Sequence, residues 1–245
     1  MVTKDIDAND TGATRIAPRL LVVADRAYAG DDARWLAALR AAGEAARGEP
    51  VWIQVRAKQF SGKALIDLAA RAREAIPAGV PALLNADASL APLAASLGYD
   101  GVHWPEQTIP DPLNAGAHPL DGLRLHSAAI HSVDALCRAA QTGADCAVFG
   151  AVYAPGSKPG AGVGIEALRA MVSVAALPVI AIGGVTPDRV GACIEAGAYG
   201  VAAVSGILGT ASPGDAVRTY LAALAAAVET TNVHHLSPMQ RGGAR

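Results

Sequence analysis

The sequence predicts an α/β fold of one domain, a compact (β/α)8 TIM barrel. Three observations predict it. Short Val- and Ile-rich runs alternate with Ala-rich segments of helical spacing, the pattern of a parallel sheet covered by helices. Eight such units occupy roughly 210 residues, near the lower size of such barrels. Polar residues gather at the C-terminal ends of the apolar runs, where barrels of this kind carry their chemistry. A doubly wound open sheet is the main rival.

The elements follow in order. RLLVVAD (19–25) reads as a buried strand. Residues 31–47 read as a helix, with Asp31 or Asp32 as its cap. PVWIQVRAK is the second strand, and 61–76 a helix with Ser61 as N-cap. VPALLNAD (80–87) is the third strand, and 88–98 a helix with Pro92 in its first turn. DGVHW (100–104) is the fourth strand, followed by a Pro-rich stretch with no long helix. GLRLHSA (122–128) is a strand, and 131–143 a helix ending at Gly143. DCAVFGAVY (145–153) is a strand, APGSKPGAGVG (154–164) a loop, and 165–175 a helix. LPVIAIGG (177–184) is a strand, and 186–197 a helix with Thr186 as N-cap and Pro187 at its first position. YGVAAVSG (199–206) is the last strand, and 212–229 the last helix. The expected division is a flexible segment over 1–17, the barrel over 18–229 and a disordered tail over 230–245.

With 245 residues, 52% of them hydrophobic, there is ample material for a core. The net charge of -2 is spread along the chain and lacks the basic footprint of a nucleic-acid binder. Cys137, Cys146 and Cys193 form no CxxC or Cys/His cluster, which argues against a structural metal or a disulfide framework and fits a reducing cytosol. The polar start, MVTKDIDANDTGATR, lacks a signal h-region. No apolar run approaches a membrane span. The expectation is a cytoplasmic protein with no membrane and no nucleic-acid partner. A homo-oligomer is left open.

In WIQVRAK, Gln54, Arg56 and Lys58 alternate with Ile53, Val55 and Ala57. On a barrel strand covered on both faces, the polar row points inward and up toward the mouth. A buried cation row without a partner would be costly, so an anionic ligand is expected. The other strand ends add Asp25 and Arg26, Asn85 and Asp87, His103, and His126 and Ser127. Gly183 and Gly184 close the seventh strand, and Ser205 and Gly206 the eighth. Strands seven and eight are where barrels bind phosphate, and glycines let a ligand approach the backbone. Simple turn chemistry is the plainer reading of the same glycines.

Over about residues 18–226 the chain resembles the thiamine phosphate synthase/TenI superfamily. The resemblance rests on LVVADR, IQVRAK, LLNADASLA, YDGVHW, AVYAPGSKPGAG and VIAIGGVTPDRVGACIEAGAYGVAAVSGI. It implies a (β/α)8 barrel and a thiazole phosphate ligand. In the synthase branch an aminopyrimidine diphosphate is joined to the thiazole, with Mg2+ neutralising the departing pyrophosphate. The metal carboxylates of that branch fall here on Ala86 and Thr108, with Asp87 and Glu106 as nearby substitutes. Loss of two hard oxygen ligands weakens Mg2+ binding.

SGIL and VTPDR are closer to the TenI branch, which resembles a thiazole tautomerase. Its working histidine corresponds to His131 of AIHS, although the synthase branch carries a similar segment. An imidazole suits a proton shift because it titrates near neutral pH. The plainer role for His131 is to cap the following helix. His103 is expected to support the mouth, and His126 is the runner-up acid/base.

The leading expectation is therefore a metal- and cofactor-independent thiazole tautomerase. His131, Arg56 and Lys58 would be catalytic. Gln54, Asn85, Ser157 and Lys158 would bind substrate, and Gly183, Gly184, Ser205 and Gly206 the phosphate. The alternatives are thiamine phosphate synthase, with Mg2+ as cofactor, and a non-catalytic thiazole or thiamine phosphate-binding protein.

Overall fold

The computed structural model of the chain describes residues 17–111, 122–154 and 161–236. Eight parallel strands close into a barrel in sequence order. They are β1 Leu20–Asp25, β2 Val51–Arg56, β3 Ala82–Asn85, β4 Gly101–Trp104, β5 Leu125–Ile130, β6 Cys146–Gly150, β7 Val179–Ile182 and β8 Gly200–Ala203. Closure is made by β8 against β1, with Leu20 opposite Val201 and Val22 opposite Ala203. The (β/α)8 expectation holds, and the open-sheet rival falls.

The outer helices are α1 Asp32–Ala45, α2 Gly62–Ala75, α3 Ala91–Ser96, α4 Val133–Gln141, α5 Ile165–Ser173, α6 Val190–Glu195, α7 Ser205–Leu208 and α8 Pro213–Leu236. Local sequence chemistry sets their ends. Asp31 accepts the Arg34 N–H at 2.8 Å and caps α1. Ser61 stands at the α2 N-cap but makes no side-chain cap bond, and neither does Thr186 ahead of the turn Pro187–Arg189. Pro92 lies in the first turn of α3. After β4, only the short turn Glu106–Thr108 is helical among the described residues before β5.

Three expectations shift. The last strand, placed at 199–206, ends at Ala203, and Ser205 and Gly206 open the short helix α7. α8 continues to Leu236, past the tail boundary placed at residue 230. β5 runs to Ile130 rather than ending at Ala128. That offset puts His131 directly after the strand and makes Ser132 the N-cap of α4, its Oγ accepting the Ala135 N–H at 3.2 Å. His131 therefore does not cap the helix.

Alternation sorts each strand into two faces. Leu20, Val22 and Ala24 of β1 pack outward with Trp35 and Leu39 of α1. Burial of a side chain such as Leu39 contributes about 1.5–3 kcal/mol. Leu21 and Val23 point the other way, into a second cluster with Trp52, Leu83, Val148 and Ile180 that fills the barrel interior. Above this plug the interior turns polar. Asp25, Gln54, His103 and Ser127 are buried there, with Arg56 and Asn85 half-buried at the ends of β2 and β3.

Candidate active site at the barrel mouth

The register of parallel strands builds the polar wall. Asp25 lies opposite Arg56 across β1 and β2, and Asn85 opposite His103 across β3 and β4. Gln54 and Arg56 face the interior as the alternation requires. The Arg56 guanidinium forms an ion pair with the buried Asp25 carboxylate. Asp25 also accepts the Ala27 N–H at 3.1 Å. This corrects the charge argument: the protein itself supplies the anion for Arg56, so burial of that cation does not require a ligand. Lys58 sits two residues past β2, exposed at the rim.

His103 is buried, and its Nδ1 lies 2.8 Å from the Ser127 Oγ. Burial, reinforced by the Arg56 and Lys58 charges, pushes its pKa down to about 3. The ring is neutral at physiological pH and acts as a hydrogen-bonding group. It lies in the buried polar layer at the mouth. His126 does not reach the mouth. One position along β5 from Ser127, it faces outward and stacks on Trp104, ring centroids 5.2 Å apart. The runner-up assignment of His126 as acid/base is overturned by this alternation.

His131 follows β5 at the mouth, largely exposed. Its Nδ1 bonds a carboxylate oxygen of Glu106, whose other oxygen accepts the Ser132 hydroxyl at 3.1 Å. An ionised carboxylate can only accept, so Nδ1 is the donor of this bond, and in the neutral ring Nε2 is then the acceptor. Glu106 arrives from the turn after β4. In the sequence, Glu106 stands out only as a substitute metal ligand. Its position in the loop preceding β5 was the available signal for a partner of His131.

The magnesium donor set does not fit. Ala86 and Thr108 occupy the two motif positions. The Asp87 carboxylate is bound by the backbone N–H and hydroxyl of Ser89, at 2.9 and 2.5 Å. The Glu106 carboxylate is held by His131 and Ser132. Glu106 is thus engaged through both oxygens and Asp87 through one, Oδ1, and neither stands at a motif position.

On the opposite side of the mouth, the ends of β7 and β8 enclose a cavity of about 400 Å³. Gly183, Gly184, Ser205 and Gly206 all line it, together with Thr186 and Arg189. The glycines have a more specific reason than ligand access. A Cβ on Gly183 would come within 2.4 Å of Ala151, and one on Gly184 within 2.7 Å of the Ala154 carbonyl. Their φ values of 95° and 59° also favour glycine. The loop after β6 presses on them, fastened by the Tyr153 N–H donating to the Gly183 carbonyl at 2.9 Å. Ser157 and Lys158 lie outside the described residues.

Comparison with known proteins decides the family. The family model described as thiamine monophosphate synthase (TMP-TENI) matches residues 20–207. The chain belongs to this family. It is 36% identical over 185 residues to the thiamine-phosphate synthase of Methanoculleus marisnigri, covering 75% of this chain and 86% of that one. It is 32% identical over 170 residues to that of Moorella thermoacetica, covering 68% and 78%. A bifunctional ThiM/ThiE protein of Symbiobacterium thermophilum is 36% identical over 171 residues, and there the chain spans only 35% of the relative's length. Among solved structures, thiamine phosphate pyrophosphorylase from Pyrococcus furiosus superposes with a TM-score of 0.68 at 19% identity, covering 87% of this chain and 98% of that one. At that identity the likeness is one of fold. The relatives carry synthase names, not names of the tautomerase branch toward which the SGIL and VTPDR segments lean.

Proposed function

We propose that this family member works in thiamine biosynthesis on a thiazole phosphate at the barrel mouth, as a metal-independent tautomerase. One observation carries the choice of reaction: Glu106 holds His131 and Ser132 rather than standing free for a metal. In this reading Nε2 of His131 removes a proton from a ring carbon of the non-aromatic thiazole carboxylate phosphate. The imidazolium returns a proton to a carbon outside the ring, at the far end of the conjugated double bond, and the electron pair left by the first proton makes the ring aromatic. The Glu106 carboxylate fixes the tautomer and stabilises the charged intermediate form of His131. Arg56, oriented by Asp25, and Lys58 hold the substrate carboxylate. Gln54 and Asn85 complete the wall, with Ser157 and Lys158 in the loop after β6. The cavity between β7 and β8 takes the phosphate.

The names of the relatives favour a second reading, thiamine-phosphate synthase, a transferase joining the thiazole phosphate to hydroxymethylpyrimidine diphosphate. The same cationic wall suits a diphosphate. That reading needs a metal held by ligands other than those of the family motif.

One experiment separates the two. The purified protein is incubated with the non-aromatic thiazole carboxylate phosphate, and separately with thiazole phosphate plus pyrimidine diphosphate, with and without Mg2+. Aromatised thiazole formed without metal, and lost by about 100-fold or more in His131→Asn, supports the tautomerase. Mg2+-dependent thiamine phosphate would establish the synthase instead. Ligand affinity without turnover of either substrate would favour a binding protein.

A further inference from the structure

Arg189 is the one charged side chain among the residues lining the cavity between β7 and β8. The remainder of the lining is glycine, small apolar side chains and the hydroxyls of Thr186 and Ser205. Its guanidinium is held in place from two sides. Nη1 donates to the Gly184 carbonyl at 2.7 Å. The guanidinium carbon stands 4.7 Å from the centroid of the Tyr153 ring, a cation–π geometry. The Tyr153 hydroxyl interacts with the Cys193 thiol of α6. Among the described residues, no carboxylate forms an ion pair with Arg189. The neighbouring Asp188 is hydrogen-bonded by Thr186.

These contacts leave a pre-oriented cation at the cavity wall. Only one of its five N–H groups goes to the Gly184 carbonyl, and a planar fork of donors matches a phosphoryl group. The ordering cost of a long side chain is met before any ligand arrives. We propose that Arg189 determines the specificity of this cavity for a phosphomonoester dianion, so that the site distinguishes a phosphorylated thiazole from the corresponding alcohol. The proposal rests on the placement of the ligand phosphate in this cavity. It assigns discrimination to a side chain on the turn after β7, beyond the backbone of the glycine loops.

The competing role for Arg189 is a strap that only ties the loop after β6 to the loop after β7. Calorimetric titration of the full chain tells the two apart. The probes are thiazole phosphate, the thiazole alcohol and inorganic phosphate, each with the wild type, Arg189→Gln and Arg189→Lys. The expected result is a loss of about tenfold or more for both phosphate-bearing probes in Arg189→Gln. The alcohol should be unchanged, and Arg189→Lys should recover part of the loss because it keeps the charge without the fork. Equal weakening of phosphate and alcohol would mean a strap and overturn the proposal, as would unchanged phosphate affinity. If inorganic phosphate binds in an Arg189-dependent way while thiazole phosphate does not bind, the role of Arg189 stands and the thiazole reading falls.

Discussion

His103 shows how a single residue couples the site to stability. Its imidazole is buried against Ser127, with Arg56 and Lys58 near enough to oppose a third positive charge. The folded-state pKa of about 3 lies below the ordinary value of 6.5, so between those values the unfolded chain binds a proton that the folded chain refuses. Stability therefore rises with pH across that window and is lost as pH falls from about 6.5 toward 3. The contribution is at most about 1.4 kcal/mol per pH unit for one proton. Urea unfolding of the wild type and His103→Asn between pH 7.5 and 4.5 measures it, the pH range being set at about the titration window. The variant should lose this component, so that the two stabilities converge as pH falls; parallel curves would show that His103 is not its source. Arg56 makes the same point by another route. Its inward direction is legible from alternation alone, but its partner Asp25 lies 31 positions earlier in the chain and is brought opposite only by the β1–β2 register.

At the scale of elements, the β7–β8 side of the mouth is built by helices reaching back over glycines. Tyr220 of α8 is fully buried and donates its hydroxyl to the Val185 carbonyl at 2.8 Å, in the loop after β7. To get there it passes Gly206, where a Cβ would lie 2.3 Å from the hydroxyl but 3.3 Å or more from the ring carbons. Gly206→Ala should therefore destabilise the fold by about 1–3 kcal/mol through overpacking. Tyr220→Phe alone should cost about 1–3 kcal/mol, because the buried Val185 carbonyl loses its donor. The double variant should be more stable than the sum of the two losses implies, since removing the hydroxyl removes the clash. Denaturant titration of all four proteins tests this, and strict additivity would refute the contact. The glycine was legible as a residue of the eighth strand–helix junction, although it falls in α7 and not in the strand. Its tyrosine partner was not, because nothing local in the sequence says which helix side chain crosses the loop.

For the molecule as a whole, α8 is the element that closes the outer layer, packing on α1, α6 and α7. Val217, Tyr220, Leu224 and Ala227 are its buried hydrophobic residues among those whose side chains are described. Truncation after Glu229 should keep one cooperative unfolding transition, with the midpoint lowered by no more than about 2 °C. Truncation after Arg218 removes Tyr220 and Leu224 and should abolish cooperative folding. Thermal melts followed by circular dichroism read both outcomes. A large loss from the shorter truncation would show that the final turns of α8 belong to the core.

The strand–helix alternation, the Asp31 cap and the C-terminal placement of the polar residues were all written in local sequence, because hydrophobic period and turn chemistry act over a few residues. They were enough for the barrel and for the rim on which Arg56, Lys58, Asn85, His131 and Ser205 sit. The tertiary structure alone decided the partners: Asp25 for Arg56, Glu106 for His131, Ser127 for His103, and Tyr153 for Arg189. It also turned His126 outward onto Trp104. Pairings of this kind join residues on different strands and loops, and barrel closure and register bring them within bonding distance, which no short-range signal encodes.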